Sequence, residues 1–389
     1  MTILLVCDVY GAENNGTVIA EKNLLRAMRE RGHTVRVLCC DPASKGEQDT
    51  YVCPNRKFGP LLNAYILKNG VRLARPDKRI IAKAMEGVDI VHVFLPLPFG
   101  LGTAATKMAT KMGICVTGGF HTQAENVSNH LGMMNCHWFN NRLYRFFWKA
   151  VYSHCYAIHY PTQFIEDLFE KEIGQKTPGF VISNGVRPFP VRTTPLKRPA
   201  ELKGKYVITF SGRFSKEKNQ TMLVKAVKLS KHKDEIQLVL AGLGPEESKL
   251  AREGASLPNK PLLRFFRHDE LMDVLRMSDL YVHPALIDLE SISCIEAISI
   301  GVLPLLTDSP RAAVKNYARD PHCIFHYDDP RDLADKIDWF IDHPEQAQKI
   351  KDFYRGFGDR YDFDTCMDKM EKMFKRTLAQ FKSQKELKK

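Results

Sequence analysis

A cluster of basic residues in the second half of the chain has the residue types and spacing to hold an anion. Arg213, Lys216 and Lys218 follow the apolar, β-rich run 206–210 and the glycine Gly212, and they precede a helical pattern. A strand that ends in a glycine turn before a helix presents free N–H groups and a partial positive charge, which the cations reinforce. The pattern therefore favours a diphosphate site, although a basic loop that faces solvent has the same sequence features.

Two carboxylates further along the chain are spaced to contact the hydroxyl groups of a sugar or a ribose. Asp288 lies in a predicted loop, and Glu296 lies about two turns into the helix that follows it. Both side chains can then face one cleft, where a carboxylate accepts two hydrogen bonds from a diol. Two alternatives stay open: Glu296 caps a helix or forms a salt bridge, and Glu290 rather than Asp288 faces the site.

Glycine and histidine residues occupy three further predicted strand-to-helix turns. Gly16 precedes the first helix, and Gly242 and Gly244 follow a strand of the second half. A glycine lets a phosphate or a base lie close to the backbone. His121 follows two glycines at the carboxyl end of a strand, which is where open α/β sheets bind ligands. Tight turns and an ordinary loop histidine are the alternative interpretations.

The elements that must position these residues alternate between strand and helix through both halves of the chain. This alternation predicts an α/β protein with two open, Rossmann-like sheets that face each other across a cleft. The Pro-rich, basic segment 187–203 reads as the linker between them. The predicted domains are 1–188 and 189–360. A helical segment, 361–389, follows them. The first turn lacks the full GxGxxG pattern, so a dinucleotide site is not supported.

The composition limits the classes of partner that the protein is expected to bind. The 389 residues carry a net charge of +12, which favours an acidic partner such as a nucleotide, a nucleic acid or an anionic membrane. The ten cysteines form no CxxC pair and read as buried residues of a reducing compartment. The N-terminus reads as a strand rather than a signal peptide. No apolar run approaches the roughly 20 residues that a membrane span needs.

Two basic, aromatic segments in the first half indicate contact with a membrane surface. Residues 56–83 contain eight Lys or Arg and one acid, and residues 126–165 contain no acid. A basic amphipathic helix with Trp and Phe is typical of an interfacial contact with anionic lipid. The alternative is a core helix with a solvated rim. The predicted membrane-contacting residues are Arg56, Lys57, Arg72, Arg75, Trp138, Arg142, Arg145, Trp148 and Lys149.

Nucleic acid and metal are not favoured as partners. No zinc-finger, RRM or KH pattern is present, so we expect no nucleic-acid binding. The adjacent pairs at 136–137 and 154–155 do not have the spacing of zinc ligands. The late DxD pattern, Asp362 and Asp364, lies near the C-terminal helix and reads as structural. We therefore expect no cofactor and no metal.

Taken in order, these motifs resemble the family 4 retaining glycosyltransferases of the GT-B fold. The resemblance runs through most of the chain, from the Gly16 loop and His121 to the run 183–186, the Gly212 to Lys218 signature, the run 241–244 and the acidic pair at 288 and 296. It implies a GT-B fold, in which two Rossmann-like domains face each other across a cleft, with 1–188 binding the acceptor and 189–360 binding the nucleotide-sugar donor. It also implies that the C-terminal helix crosses back to pack on the N-terminal domain.

The resemblance also implies roles for individual residues. Arg213 and Lys218 neutralise the donor diphosphate, Asp288 contacts the donor sugar, and His121 lies near the sugar and the leaving group. We expect Arg213→Ala and Lys218→Ala to abolish transfer with little change in folding. The donor-binding set that the resemblance implies comprises Gly16, Gly212, Gly242, Gly244, Ser291, Ile292 and Glu296, with Glu296 on the nucleotide ribose. Two residues depart from the family pattern: Asp288 is shorter than the usual Glu, and Ser291 stands where Gly is common.

A narrower resemblance, to bacterial diacylglycerol glycosyltransferases, rests on the runs 120–126 and 290–297 and on the basic, aromatic first half. It implies retaining transfer of a hexose, glucose or galactose, from a UDP-linked donor to a lipid such as diacylglycerol, which yields an α-glycolipid. It also implies a cytoplasmic enzyme that is peripheral on the inner face of the cell membrane. The same chemistry on a polysaccharide or a small soluble acceptor is the alternative, and a nucleotide-sugar-binding or lipid-binding module is the non-enzymatic one.

Overall fold

The computed structural model, which describes residues 1–11, 16–57, 59, 72–187 and 196–387, divides the chain into two units. One unit consists of Met1–Asn184 together with Asp364–Lys389, and the other consists of Gly185–Phe363. Three predicted features fall partly outside the described residues: the middle of the first basic segment at 58 and 60–71, the linker at 188–195, and the Lys-rich end at 388–389.

The described part of the first unit contains a parallel sheet in the order β3-β2-β1-β4-β5-β6-β7. Its strands are β1 (Thr2–Val6), β2 (Thr34–Cys39), β3 (Thr50–Val52), β4 (Ile90–Val93), β5 (Cys115–Gly119), β6 (Ala157–Tyr160) and β7 (Gly179–Val181). The central strands are apolar and buried along their length, as expected where helices cover both faces of a parallel sheet. The strand order reverses between β1 and β4, and the carboxyl ends of these two strands border a ligand-binding crevice in such sheets.

Helices connect these strands, and several begin or end at residues suited to those positions. The helices are α1 (Gly16–Glu30), α2 (Lys78–Met85), α3 (Leu101–Met112), α4 (Ala124–Asn129), α5 (His137–Ala150) and α6 (Gln163–Ile173). The Asp77 carboxylate accepts hydrogen bonds from the first backbone N–H groups of α2, and α3 ends at Gly113 in the left-handed conformation. These caps fix where the helices start and stop relative to the sheet.

The second unit repeats this plan with a parallel sheet in the order β10-β9-β8-β11-β13-β15. Its strands are β8 (Tyr206–Ser211), β9 (Ile236–Ala241), β10 (Leu262–Arg264), β11 (Leu280–His283), β13 (Leu303–Thr307) and β15 (Ile324–Phe325), and a separate parallel pair is formed by β12 (Ile287–Asp288) and β14 (Arg311–Ala312). Its helices are α7 (Gln220–Leu229), α8 (Glu247–Gly254), α9 (His268–Arg276), α10 (Ile292–Ser299), α11 (Pro330–Asp342) and α12 (Pro344–Asp352). The order reverses between β8 and β11, so the switch point lies at their carboxyl ends.

The last helix, α13 (Phe363–Glu386), packs on the first unit, as the resemblance implied. The Arg31 guanidinium lies 2.8 Å from the Asp368 carboxylate, and His33 Nε2 lies 2.7 Å from Glu371 Oε1. The Phe374 side chain is buried against the ring of His92, with 5.2 Å between the ring centroids. The DxD pattern therefore lies at the start of a packing helix, which agrees with its structural interpretation.

The described residues contain no membrane-spanning helix, no metal-binding cluster and no disulfide. None of the helices there has the length and apolar character to cross a bilayer. No group of three or more His, Cys, Asp or Glu side chains in the same residues is arranged to hold a metal ion. The ten cysteines are all free thiols, and nine of them are buried.

Candidate active site

The basic loop begins where β8 ends, at the switch point of the second sheet. β8 lies between β9 and β11, so its carboxyl end borders the crevice that binds ligands in open α/β sheets. Arg213 lies in this loop, and Lys218 ends the short helical turn Lys216–Lys218. The Arg213 and Lys218 side chains are half-buried, whereas Lys216 is exposed. The structure thus brings the two cations assigned to the diphosphate onto one loop at the ligand-binding edge.

The glycines at 242 and 244 have a packing role beside this loop. A β-carbon on Gly242 would lie 2.0 Å from the Gly212 carbonyl oxygen, and one on Gly244 would lie 2.2 Å from the Phe214 carbonyl oxygen. The Phe214 N–H donates to the Leu243 carbonyl at 2.9 Å. Glycine is therefore required at 242 and 244 because two backbone loops touch there, whether or not a ligand also approaches.

Lys218 and Asp288 form a buried charge cluster together with His283. Lys218 Nζ donates to Asp288 Oδ2 at 2.5 Å, and His283 Nε2 lies 2.8 Å from the same oxygen. His283 ends β11, and Asp288 belongs to the short strand β12 that follows it. The residue assigned to the phosphate and the residue assigned to the sugar are therefore direct neighbours, across the switch point of one sheet.

The protonation states in this cluster follow from burial and charge. Burial raises the pKa of Asp288, but Lys218 and His283 outweigh it and hold that pKa well below its ordinary value. Burial lowers the pKa of His283 by more than Asp288 raises it, and Lys218 lowers it further. At neutral pH the cluster is thus a carboxylate held by an ammonium and a neutral imidazole.

The helix after this loop begins with an unusual backbone conformation. Ser291 has φ 61° and ψ 78°, in the left-handed region that favours glycine, and α10 starts at the next residue, Ile292. The Ser293 hydroxyl donates to the Ser211 carbonyl at 3.0 Å, which ties the first turn of α10 to the end of β8. The structure therefore explains why Gly is common at position 291 in the family: the turn into α10 needs a positive φ.

Glu296 contacts a histidine that the sequence analysis did not single out. His268 Nε2 lies 3.0 Å from Glu296 Oε1, and His268 is the first residue of α9. The Glu296 side chain is mostly buried and the His268 side chain is mostly exposed. The hydrogen bond from Glu296 outweighs burial and raises the pKa of His268. Of the alternatives for Glu296, the structure shows a hydrogen-bonded contact with His268, which is a salt bridge when His268 is protonated, and the ribose role stays a proposal.

Glu290, the rival of Asp288 for the sugar, is buried beside it. The Glu290 backbone N–H lies 3.4 Å from Asp288 Oδ1, and the Tyr317 hydroxyl donates to the Glu290 carbonyl at 2.6 Å. Both carboxylates are less than 10% exposed. Lys218 and His283 both bind the Oδ2 atom of Asp288. In this structure, Asp288 therefore holds the Lys218 side chain in place.

In the first unit, the carboxyl end of β1 is organised by Asp8. Its carboxylate accepts the backbone N–H groups of Leu101 and Gly102 at 2.7 and 2.8 Å, at the start of α3. Burial raises the pKa of Asp8 to about 6, and these two N–H groups limit the rise. Gly16 begins α1 nearby in sequence, and a β-carbon there would meet no atom of the described residues within 4 Å. The donor-binding role of Gly16 stays a prediction.

His121 lies in a cluster of three buried histidines beyond the end of β5. Its ring stacks on Phe94 with 4.9 Å between the ring centroids, and the His159 ring lies 5.4 Å away. His92 Nδ1 pairs with the Thr117 hydroxyl at 2.9 Å. Burial lowers the pKa of all three, to about 3 for His92 and about 4 for His159. His121 is therefore a neutral imidazole in a desolvated setting.

The exposed face of α5 carries the predicted membrane-contacting residues of this helix, apart from one tryptophan. Trp138, Arg142, Arg145 and Lys149 are exposed and follow the spacing of one helical face. The Arg142 guanidinium lies over the Trp138 ring at 5.2 Å, and Trp138 is 65% exposed. Trp148 lies off this face, half-buried, with its ring 6.5 Å from Phe169. The other side of α5 buries Asn140, Tyr144 and Phe147.

The four predicted contacts of the first basic segment have different surroundings. The Arg56 guanidinium lies over the exposed ring of Phe99 at 5.9 Å, and Arg72 Nε lies 3.6 Å from Asp41 Oδ1. Lys57 and Arg75 are exposed. The apolar residues Leu61, Leu62, Tyr65 and Ile66 lie outside the described residues. Among the described residues, the exposed face of α5 therefore gives the main support for a membrane contact.

Four histidines that lie near the predicted site residues were not predicted from the sequence: His92, His159, His268 and His283. Three of them are single polar residues within otherwise apolar strands, which was a usable signal. A polar side chain at such a position must find a partner inside the protein. His268 carried no comparable signal because it lies at an exposed helix start.

Two family models match the chain, one over each half. The model described as Glycosyltransferase Family 4 matches residues 15–188, and the model described as Glycosyl transferases group 1 matches residues 192–356. No curated protein sequence matches the chain. The catalytic domain of cholesterol-α-glucosyltransferase from Helicobacter pylori is 36% identical over 40% of this chain and 99% of that domain, with a TM-score of 0.37.

Two solved structures resemble nearly the whole chain. Anabaena Alr3699/HepE in complex with UDP and glucose has a TM-score of 0.69 at 15% identity, over 97% of this chain and all of that one. Sucrose-phosphate synthase from Thermosynechococcus elongatus has a TM-score of 0.74 at 13% identity, over 97% of this chain and 99% of that one. At such identities the likeness shows the fold alone, and that fold is GT-B.

Proposed function

Because the chain belongs to the family 4 glycosyltransferases of the GT-B fold, we propose that it transfers a hexose from a nucleotide sugar to a lipid acceptor such as diacylglycerol. The observation that carries the donor half is the contact between Lys218 and Asp288 at the switch point of the second sheet. It joins the cation that we assign to the diphosphate and the carboxylate that we assign to the sugar in one cluster. UDP-glucose and UDP-galactose are the proposed donors, and UDP is the nucleotide named in the Anabaena HepE complex.

The proposed chemistry is electrostatic and retains the configuration of the sugar. Arg213 and Lys218 stabilise the charge that builds on the departing nucleoside diphosphate, which lowers the barrier to bond cleavage. Glu296 accepts hydrogen bonds from the ribose, and Asp288 and His121 act on the sugar side. The acceptor hydroxyl attacks the face of the sugar that the diphosphate leaves, and the product is an α-glycoside. The proposal requires no metal ion.

The lipid acceptor is supported by the exposed face of α5. Three cations and a tryptophan on one face of a helix suit the boundary between phosphate headgroups and acyl chains. Each Lys or Arg near an anionic leaflet contributes about 1 kcal/mol to binding. We therefore place the enzyme at the inner, anionic face of the cell membrane, where it meets a lipid acceptor and a water-soluble donor.

The test is to incubate the protein with UDP-glucose or UDP-galactose and 1,2-dioleoylglycerol in anionic vesicles. We expect a glycolipid whose anomeric proton has the coupling of an α-linkage, and no product from Arg213→Ala. Transfer to soluble sugars with none to lipid would favour the alternative acceptor. Tight binding of the nucleotide sugar without turnover on any acceptor would favour a binding module.

A further inference from the structure

A small cavity in the first unit lies beside His121 and has both polar and apolar walls. His121 and His159 form the polar side, while Ala20 and Leu24 of α1 and Met367 and Met370 of α13 form most of the apolar side. The space suits a group the size of a water molecule or a hydroxyl. It lies beside the first three turns of α1 and near the carboxyl edge of the sheet, where ligands of such folds bind.

The hydrogen bonding of His159 determines which of its nitrogens is free to bind a ligand. His159 Nε2 lies 2.6 Å from the Ile182 carbonyl oxygen. A carbonyl oxygen only accepts hydrogen bonds, so Nε2 carries the hydrogen and Nδ1 of the neutral ring has a lone pair. Nδ1 is buried and has no hydrogen-bond partner among the described residues. A buried acceptor without a partner costs about 1–3 kcal/mol, so this atom favours a group that donates.

The charge of the walls excludes ionic ligands. None of the residues lining the described cavity is charged, because the histidines there are neutral and the remaining side chains are apolar or amide. A phosphate or an ammonium group would lose its hydration without gaining a counter-charge. The uncharged hydroxyl of an alcohol, in contrast, fits the space and needs only a hydrogen-bond partner, and the carbon atom that bears it contacts the methionines and the aliphatic side chains.

We propose that this cavity binds the hydroxyl-bearing end of the acceptor, an uncharged alcohol with an apolar skeleton, and that the alcohol donates its hydrogen to His159 Nδ1. This inference rests on the proposed function, since it names the acceptor class of that reaction. It predicts that neutral acylglycerols are acceptors and that their phosphorylated forms are not. His159 is then a residue that binds the acceptor.

The first test is kinetic and uses 1,2-dioctanoylglycerol and UDP-glucose. We expect His159→Phe to raise the KM for dioctanoylglycerol at least tenfold and to leave the KM for UDP-glucose within twofold. His159→Gln, which keeps a donor for Ile182 and an acceptor oxygen, should fall between these values. The control is His154→Phe, an exposed histidine, which should match the wild type.

A second variant and a spectroscopic measurement cover the case in which His159→Phe folds poorly. Ala20→Leu narrows the cavity from α1 without touching His159, and it should raise the KM for dioctanoylglycerol similarly. In the ¹⁵N-histidine spectrum of the wild type, the Nδ1 signal of His159 should move when 1-octanol is added and stay fixed with octanoate.

The outcomes separate this inference from the proposed function. If dioctanoylglycerol is glycosylated but both folded variants keep the wild-type KM, the cavity holds only water and the inference is wrong. The inference is also wrong if the Nδ1 signal does not move when octanol is added, or if it shows that Nδ1 carries a proton. If no lipid is glycosylated and the signal still responds to octanol, the proposed function fails and the alcohol site stands.

Discussion

The Lys218 ammonium and the Asp288 carboxylate form a salt bridge, with 2.5 Å between Nζ and Oδ2, although they lie 70 residues apart in the chain. Lys218 belongs to the loop after β8, and Asp288 belongs to β12, which follows β11. The Asp288 side chain is 8% exposed and the Lys218 side chain is 24% exposed. The two groups are therefore coupled, and a change to one alters the charge balance of the other.

Lys218→Ala should abolish transfer and also destabilise the second unit. The change leaves the Asp288 carboxylate buried without its cation, with the His283 ring and the Glu290 N–H as its remaining partners. The cost is about 2 kcal/mol, below the range for a fully buried pair because Lys218 is partly exposed. Urea unfolding measures this cost. The expectation of unchanged folding is therefore revised for Lys218 and kept for Arg213, so Arg213→Ala is the matched control.

The double variant Lys218→Ala with Asp288→Ala checks the cause of this loss. Removing both partners eliminates the uncompensated charge, so we expect the double variant to be more stable than Lys218→Ala alone. The single variant Asp288→Ala completes the cycle, and if the losses of the two single variants add up to the loss of the double variant, the salt bridge does not couple the two residues.

The stability of the first unit should fall less steeply with acid when one buried histidine is removed. The folded pKa values of His92 and His159 lie near 3 and 4, below the ordinary 6.5. Their contribution to the free energy of unfolding is complete above pH 6.5. It is lost as the pH falls below that value, because there the histidines take up protons only in the unfolded chain. Each imidazole contributes up to about 1.4 kcal/mol per pH unit in that window. Unfolding free energies of wild type and His159→Phe between pH 7 and 5 measure the difference.

Two buried acids change the free energy of unfolding with pH in the opposite direction to the histidines. The pH dependence of the wild type must therefore be compared with that of His159→Phe. Burial raises the pKa of Asp8 to about 6, and burial also raises the pKa of Glu21 well above its ordinary value. Native carboxyls with raised pKa values take up protons first, so their contribution grows as the solution becomes more acidic. Equal slopes for wild type and His159→Phe would contradict a buried neutral His159.

The sequence predicted most of the fold because parallel strands buried on both faces are short apolar runs. The run 206–210 was predicted as a strand and forms β8, which extends one residue further to Ser211. The strand β3, Thr50–Val52, was missed because it is a three-residue edge strand that is only partly buried. The paired strands β12 and β14 are each two residues long, which is too short to show a periodic pattern.

The candidate site was predicted residue by residue, but its pairings were not. The motifs predict that Lys218 and Asp288 belong to one site, and they do not predict that the two side chains bind each other. The contact between His268 and Glu296 joins positions 28 residues apart in two different helices. Such contacts depend on how the loops pack at the sheet edge, which no local pattern encodes. The positive φ of Ser291 was likewise hidden, because Ser has no local preference for that conformation.

Ser291→Gly should stabilise the second unit by roughly 0.5–1 kcal/mol. Ser291 is held at φ 61°, where a side chain costs energy that glycine avoids. Ser291→Val should instead destabilise by about 1–3 kcal/mol, since a β-branched residue is strained there. Thermal unfolding compares both with Ser293→Gly, which places glycine inside α10 and should lower stability. Ser291→Gly that is less stable than wild type would contradict the strain.

Reversing charge on the exposed face of α5 should weaken binding to anionic vesicles. Arg142→Glu with Arg145→Glu removes two cations and adds two anions, so we expect at least a tenfold loss at about 0.1 M salt. Wild-type binding should itself weaken as salt rises, because screening shortens the reach of these charges. Vesicle sedimentation measures both effects, with neutral vesicles as the reference.

The matched control reverses two lysines of α12 in the second unit, Lys349→Glu with Lys351→Glu. Net charge then changes by the same amount at a surface with no proposed lipid contact. Equal losses for the two double variants would mean that overall charge, rather than the α5 face, governs binding.

The affinity for the donor should depend on pH through the contact between His268 and Glu296. The Glu296 hydrogen bond raises the pKa of His268, so the imidazole becomes charged as pH falls through that raised value. A charged His268 holds Glu296 more tightly and competes with the ribose hydroxyls. An exposed pair of this kind is worth up to about 1 kcal/mol, so the KM for UDP-glucose should rise up to about fivefold at low pH.

Two variants and one control isolate this effect. His268→Ala should make the KM for UDP-glucose nearly independent of pH, whereas Glu296→Gln should raise it about tenfold or more at every pH, because a hydrogen bond to a charged group is worth about 1.5–3 kcal/mol. His326→Ala is the control, since Asp308 raises the pKa of that exposed histidine in the same unit. If His268→Ala keeps the wild-type pH profile while His326→Ala flattens it, Glu296 is not the group through which pH acts on the donor.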